Sequence, residues 1–161
     1  MRYTIGSFNI IIFVFLISCT SDNEKSYKYK DLISYGIPVE IKAPDSVEVS
    51  STDLGIQKDV SLQGDDGYNI QLFYSDAFRN QKAAVEDYRE VIRINPYFKE
   101  FVQDDENGFI YSFQLDSTTV NYGFRYVQVK AGKEIIIQPG MLGVYSLDEA
   151  RKLYGIASQI K

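Results

Sequence analysis

Apolar side chains recur at every second position through most of this chain from Ile37 onward, a period that commits it to β-sheet with one face buried. Ile37, Val39 and Ile41 alternate with Pro38, Glu40 and Lys42, and Val47 and Val49 resume after Ala43-Pro44-Asp45. Successive side chains of a strand point to opposite faces, so each run reads as a strand and the proline as the turn between them. Val60 and Leu62 lead into Gly64-Asp65-Asp66-Gly67, after which Tyr68, Ile70, Leu72 and Tyr74 share a face. Glycines around short acids mark a hairpin. Three more strands are expected over 98–103, 109–115 and 120–129, separated by Asp104-Asp105-Glu106-Asn107-Gly108 and Asp116-Ser117-Thr118. Phe109, Tyr111, Phe113 and Leu115 line one face of the second, and Val120, Tyr122, Phe124 and Tyr126 one face of the third. Lys130-Ala131-Gly132-Lys133 turns the chain into Ile135-Ile136-Ile137. That run is apolar on both sides and belongs at the centre of the sheet, covered above and below.

Two stretches change period. Phe78, Ala84, Val85, Tyr88, Val91 and Ile92 fall on one stripe of a 3.6-residue helix, with Lys82, Glu86, Arg89, Glu90 and Arg93 opposite. Pro96 ends it, because the residue before a proline is driven out of helical geometry. Near the C-terminus, Ser146-Leu147-Asp148-Glu149 has the spacing of a capping box, which starts a helix with Leu147, Ala150, Leu153, Tyr154, Ala157 and Ile160 as its apolar stripe. Lys161 suits the negative end of that helix's dipole. The fold class is therefore α+β: an antiparallel sheet of about six to eight strands flanked by helices, forming a single domain over 34–161.

The N-terminus reads differently. Arg2 is a positive flank, residues 10–17 form an apolar run, and Leu16-Ile17-Ser18-Cys19 closes it with the only cysteine in the chain. This resembles a bacterial lipoprotein, or type II, signal peptide over 1–18. The resemblance implies lipidation of Cys19: its sulfur takes a diacylglycerol, the bond before it is cut, and Cys19 becomes the acylated first residue. An unprocessed anchor helix is the competing reading, but the run is less than half of the ~20 residues a bilayer crossing needs. An ordinary secretory leader is the other. Thr20 occupies the sorting position where an aspartate retains lipoproteins at the inner membrane, so the expected location is the outer membrane, facing the periplasm or the outside. Ser21-Asp22-Asn23-Glu24 resembles the serine-plus-acid signal of surface-displayed lipoproteins. Residues 19–33 are polar without a sustained apolar period and are expected to be a tether.

With its one thiol spent on lipid, the domain has no disulfide and stands on its core alone. The element order and the opening strand Tyr35-Gly36-Ile37-Pro38-Val39-Glu40-Ile41-Lys42-Ala43-Pro44, with a helix beginning near Lys82-Ala83-Ala84-Val85, resemble the PsbP-like fold across most of 34–161. That resemblance implies an accessory or assembly role, binding rather than catalysis, and brings no cofactor or metal ligand with it.

Composition removes several chemistries. The chain has no histidine and no tryptophan, so Ser-His and Cys-His mechanisms and imidazole- or thiolate-based zinc sites have no residues to work with. Gly140-Met141-Leu142-Gly143 lacks the lysine and spacing of a phosphate loop. A net charge of −5 opposes nucleic acid as a partner. Carboxylates remain: Asp65/Asp66 and Asp104/Asp105/Glu106 have the oxygen ligands for general acid–base work or calcium, although a polar turn explains both clusters and neither follows the calcium-loop pattern. Thirteen tyrosines are the other excess. Tyr111, Tyr122 and Tyr126 would form an aromatic platform for a glycan, peptide or protein if one sheet face stayed bare, whereas their alternation with Phe109, Phe113 and Phe124 favours core. The expectation is a non-enzymatic, membrane-anchored lipoprotein with a protein partner in the cell envelope; the alternative is a carboxylate-dependent hydrolase or a glycan binder.

Overall fold

A computed structural model of the chain describes residues 27–161. β1 (Tyr27–Asp31) and β2 (Glu40–Pro44) form a two-stranded antiparallel ribbon. β3 (Glu48–Asp53), β4 (Gln57–Gln63), β5 (Asn69–Asp76), β6 (Phe98–Asp105), β7 (Gly108–Gln114), β8 (Val120–Lys130) and β9 (Lys133–Pro139) form a seven-stranded antiparallel sheet in the order β3-β4-β5-β9-β8-β7-β6. After β5, α1 (Gln81–Arg93) carries the chain to the far edge, the β6–β9 meander returns, and β9 closes the gap beside β5. α2 (Leu147–Ala157) follows.

The isoleucine run lands in β9, the middle strand, with Ile135, Ile136 and Ile137 all buried. It receives a cluster on each side. The larger lies between the sheet, the β1–β2 ribbon and α2, and takes Leu32, Ile41, Leu62, Ile70, Leu72, Ile110, Phe124, Ile137 and Leu153, among others. The smaller lies under α1 and holds Ala84, Val85, Ile92, Phe109, Tyr111 and Val127. Full burial stabilises by ~1.5–3 kcal/mol per large apolar side chain, so the α2 side carries most of the stability.

Local signals explain the helix starts. Asn80 caps α1, accepting from the Ala83 amide at 2.9 Å. The predicted capping box at α2 is present: Glu149 N–H donates to Ser146 Oγ at 3.3 Å, and Ser146 N–H donates to the Glu149 carboxylate at 2.8 Å. The reversals use left-handed residues: Asp66 and Gly67 (φ 57° and 74°) between β4 and β5, and Ala131 and Gly132 (φ 51° and 73°) between β8 and β9.

Several expectations need correction. Residues 27–33, expected within the polar tether, are structured: β1 pairs along its whole length with β2, and Leu32 is fully buried. Tyr27-Lys28-Tyr29-Lys30 is itself an aromatic–polar alternation, which the lysines disguise as solvated leader. Phe78 precedes α1 and is 95% exposed, and Val91 also faces solvent. The Asn80 cap sets a helix phase that buries 84, 85 and 92 but turns 91 outward. Lys161 lies beyond the end of α2; its backbone exchanges two 3.1 Å hydrogen bonds with Glu40, and its ammonium sits 3.7 Å from the Tyr29 ring centroid.

Candidate binding face

Cys19, the expected lipidation site, lies outside the described residues. The acidic clusters are both on hairpin turns, as expected, and the sheet register separates them. β4 and β5 meet at the end where Gln63 faces Asn69, whereas Asp105 faces Gly108 at the end shared with the β8–β9 turn. The two clusters therefore occupy opposite ends of the sheet. Asp65 accepts from Ser46 Oγ at 3.0 Å, and Asp104 is ion-paired to Arg89 of α1. Among the described residues no group of three or more His, Cys, Asp or Glu side chains could hold a metal ion.

The tyrosine platform does not assemble. Tyr111 is opposite Gly123 in the β7–β8 register, so it shares a face with odd-numbered residues of β8, while Tyr122 and Tyr126 project to the other side. Tyr111 packs under α1. Tyr126 packs against Tyr154 of α2, with ring centroids 6.3 Å apart, and Tyr122 borders the same cluster. Burial pushes the phenols of Tyr111 and Tyr126 above the usual tyrosine range.

A different surface stands out. α1 packs chiefly over β8 and β7 and reaches β9 through Tyr88 and Glu134, leaving the β3, β4 and β5 part of its sheet face, with Gln138 beside it, largely without a covering helix. There the sequence alternates polar residues outward from the large core: Ser50, Ser61, Gln71 and Gln138 stand opposite one another across four strands. The two glutamines of the row and Asp59 beside them are joined by side-chain hydrogen bonds. Gln138 Nε2 donates to Gln71 Oε1 at 3.0 Å, and Gln71 Nε2 donates to both Asp59 carboxylate oxygens at 3.0 and 2.8 Å. Gln71 is only 6% exposed. A satisfied amide–carboxylate ladder of this kind fixes its members' orientation.

The ladder ends at a recess of about 160 Å³ lined by Tyr111, Asn121, Arg125, Gln138, Gly140 and Tyr145, with others. Two glycines make the space. A Cβ on Gly123 would sit 2.6 Å from the Tyr111 ring, and one on Gly140 would sit 1.8 Å from the Asn69 amide. The Arg125 guanidinium has one hydrogen bond, to its neighbour's carbonyl (Phe124 O) at 3.3 Å, and forms no ion pair among the described residues. The face thus offers oriented amides, hydroxyls, the carboxylates of Asp59 and Glu48 and the Arg125 cation.

At its border is a cluster that the sequence did not signal. Glu134 of β9 is 4% exposed. It accepts from Arg79 Nε and Nη2, each at 3.1 Å, and from the Tyr88 hydroxyl at 2.7 Å. Arg79 also pairs with Asp87 and stacks 4.9 Å from the Tyr88 ring centroid. The hydrogen bond to Glu134 holds Arg79 well above its ordinary pKa, and burial followed by Glu134 raises Tyr88. A paired, fully bonded carboxylate clamps α1 to the central strand; it has no second acid beside it for proton relay. Its partners are 46 and 55 residues away in sequence, so no local pattern marks them.

No helix among the described residues is long and apolar enough to cross a membrane. No family model matches the chain, and neither a curated protein nor a solved structure is significantly similar to it.

Proposed function

We propose that this chain is a lipid-anchored, non-enzymatic binding protein of the bacterial cell envelope, held at the outer membrane through Cys19, that takes a protein partner on the open half of its sheet. The observation carrying this reading is the polar row Ser50, Ser61, Gln71 and Gln138, with Gln138, Gln71 and Asp59 joined by side-chain hydrogen bonds, on the part of the sheet face that α1 leaves open. Open sheet faces are ordinarily polar and irregular, whereas this one pairs its amides before any partner arrives. Preorganised side chains lose less conformational freedom on association. The recess beside the row carries Arg125, a residue type enriched at protein contacts. The absence of histidine and the separation of the two acidic turns favour binding over the hydrolase alternative. The division of the three tyrosines between two faces removes the motive for the glycan alternative.

Two measurements test the reading. Intact-mass analysis of protein from its native host should find acyl groups on a chain beginning at Cys19. Capture from gently solubilised envelopes, comparing the natural chain with Ser61→Arg, should lose one specific partner in the variant. Equal recoveries from both would contradict the assignment of the open face.

A further inference from the structure

The segment between β9 and α2 carries three exposed apolar side chains within four residues. Met141 and Leu142 are each 82% exposed and Val144 is 60% exposed. The segment is held by its carbonyls. Tyr145 Oη donates to Gly140 O at 3.0 Å and to Leu142 O at 3.3 Å, and Asn69 Nδ2 donates to Leu142 O at 3.1 Å. Gly140 N–H donates to Asn69 O at 3.0 Å, and Tyr145 N–H to Asn121 Oδ1 at 2.8 Å. Gly143, at φ 144°, takes a backbone conformation that side chains disfavour. The Gly140 and Leu142 carbonyls are thus tied to the domain while the apolar side chains of Met141, Leu142 and Val144 are turned away from it. Apolar side chains held outward in this way are stabilised by transfer to an apolar medium.

The position of the loop says which medium. Gly140 bonds to Asn69 at the first residue of β5, and Tyr27, where the described chain begins, packs on Tyr68, with ring centroids 5.9 Å apart. The loop and the point where the chain comes in from Cys19 therefore share one end of the sheet. Eight peptide steps separate Cys19 from Tyr27, a reach of at most ~28 Å when fully extended. An acylated Cys19 in a bilayer keeps that end of the sheet within ~28 Å of the headgroups.

We infer that the Met141–Val144 loop inserts its side chains into the surface of the membrane that holds the lipid anchor, giving the domain a second point of attachment and a fixed orientation. This rests on the lipoprotein reading of Cys19. The charges at the same end, Asp65, Asp66, Asp148 and Glu149 against Lys28 and Lys152, are mainly acidic, so the attachment is apolar and suits zwitterionic lipid, with anionic lipid weakening it. With the loop seated, the half-open sheet face would stand clear of the headgroups, sideways to the membrane.

The chain's lack of tryptophan makes the test clean. Full-length acylated protein carrying Leu142→Trp is reconstituted into phosphatidylethanolamine–phosphatidylcholine vesicles with and without brominated acyl chains. Ile56→Trp is the control, at an 89% exposed position in the β3–β4 turn at the opposite end. The Leu142→Trp emission should shift to shorter wavelength and be quenched by the brominated lipid, while Ile56→Trp shows neither change. Both sites are surface positions, and circular dichroism confirms that the fold is kept. If the acylated protein floats with the vesicles and Leu142→Trp is unquenched, the inference is overturned while the anchor stands; a protein or second copy covering the loop would then be indicated. If intact mass shows no acyl groups, the anchor reading and the inference fall together.

Discussion

The two faces of the seven-stranded sheet are built to different ends. The face toward α2 and the β1–β2 ribbon is closed by apolar side chains from nearly every element, with Leu32, Ile41, Leu62, Leu72, Phe124 and Leu153 almost wholly withdrawn from water. The face toward α1 is closed mainly over β8, β7 and the Glu134 end of β9, and the rest carries the Asp59–Gln71–Gln138 ladder. One face pays the cost of ordering the chain, which leaves the other free of that duty. A surface relieved of stability can keep polar groups at half-buried positions, where an exposed antiparallel sheet normally tolerates them but seldom arranges them.

That contrast can be broken by substitution. The largest effect is expected from Phe124→Ala, which removes a fully buried ring packed 5.9 Å, centroid to centroid, from Tyr154. A loss of ~3–5 kcal/mol should be read in denaturant unfolding; a loss no greater than that of a surface change would mean that the α2 side is not the main core. Gly123→Ala forces a methyl against the Tyr111 ring on the other face, and ~1–3 kcal/mol is expected for such overpacking. Because Tyr111 borders the recess, this variant should also alter partner binding.

Acid sharpens the comparison at the loops. Asp116 accepts from the Thr118 and Thr119 amides, each at 2.8 Å, and these bonds, the Thr118 amide first, draw its pKa down to about 2. Glu149 is lowered in the same sense by the Ser146 hydroxyl and amide. A carboxylate with a depressed folded-state pKa contributes stability above its unfolded value and loses it as pH falls through the folded one. The Asp116 contribution should therefore be present above its ordinary value of ~4 and fade towards pH 2, and that of Glu149 is likewise lost as pH falls. Carbon-detected NMR of the Asp116 carboxyl should give a midpoint near 2; an ordinary aspartate midpoint would remove the turn's role. The smallest effect is expected at Ser112, a buried residue whose hydroxyl has no partner. Ser112→Ala should leave unfolding unchanged or raise stability slightly, since it deletes an unsatisfied group.

Much of the fold was readable because side-chain period survives without tertiary information. The β9 isoleucines announced a doubly covered strand, and Ser146 with Glu149 announced the start of α2. Failures came where two signals competed. Tyr27-Lys28-Tyr29-Lys30 alternates like a strand but has a tether's composition, and Phe78 has a core residue's chemistry outside the helix that Asn80 begins. The binding face was least legible. Ser61, Gln71 and Gln138 are unremarkable in sequence and become a row only through the β4–β5–β9 pairing, which places a C-terminal strand between elements distant along the chain. Tyr111 was grouped with Tyr122 and Tyr126 because spacing within a strand does not reveal which residue stands opposite.

Site-specific photo-crosslinking in living cells bears most directly on the division between the faces. A benzophenone side chain replacing Ser61 on the open face should yield one discrete protein adduct, and the same group replacing Arg151 on the exposed side of α2 should yield none. Adducts from Arg151 with nothing from Ser61 would place recognition on the helical side and contradict the account.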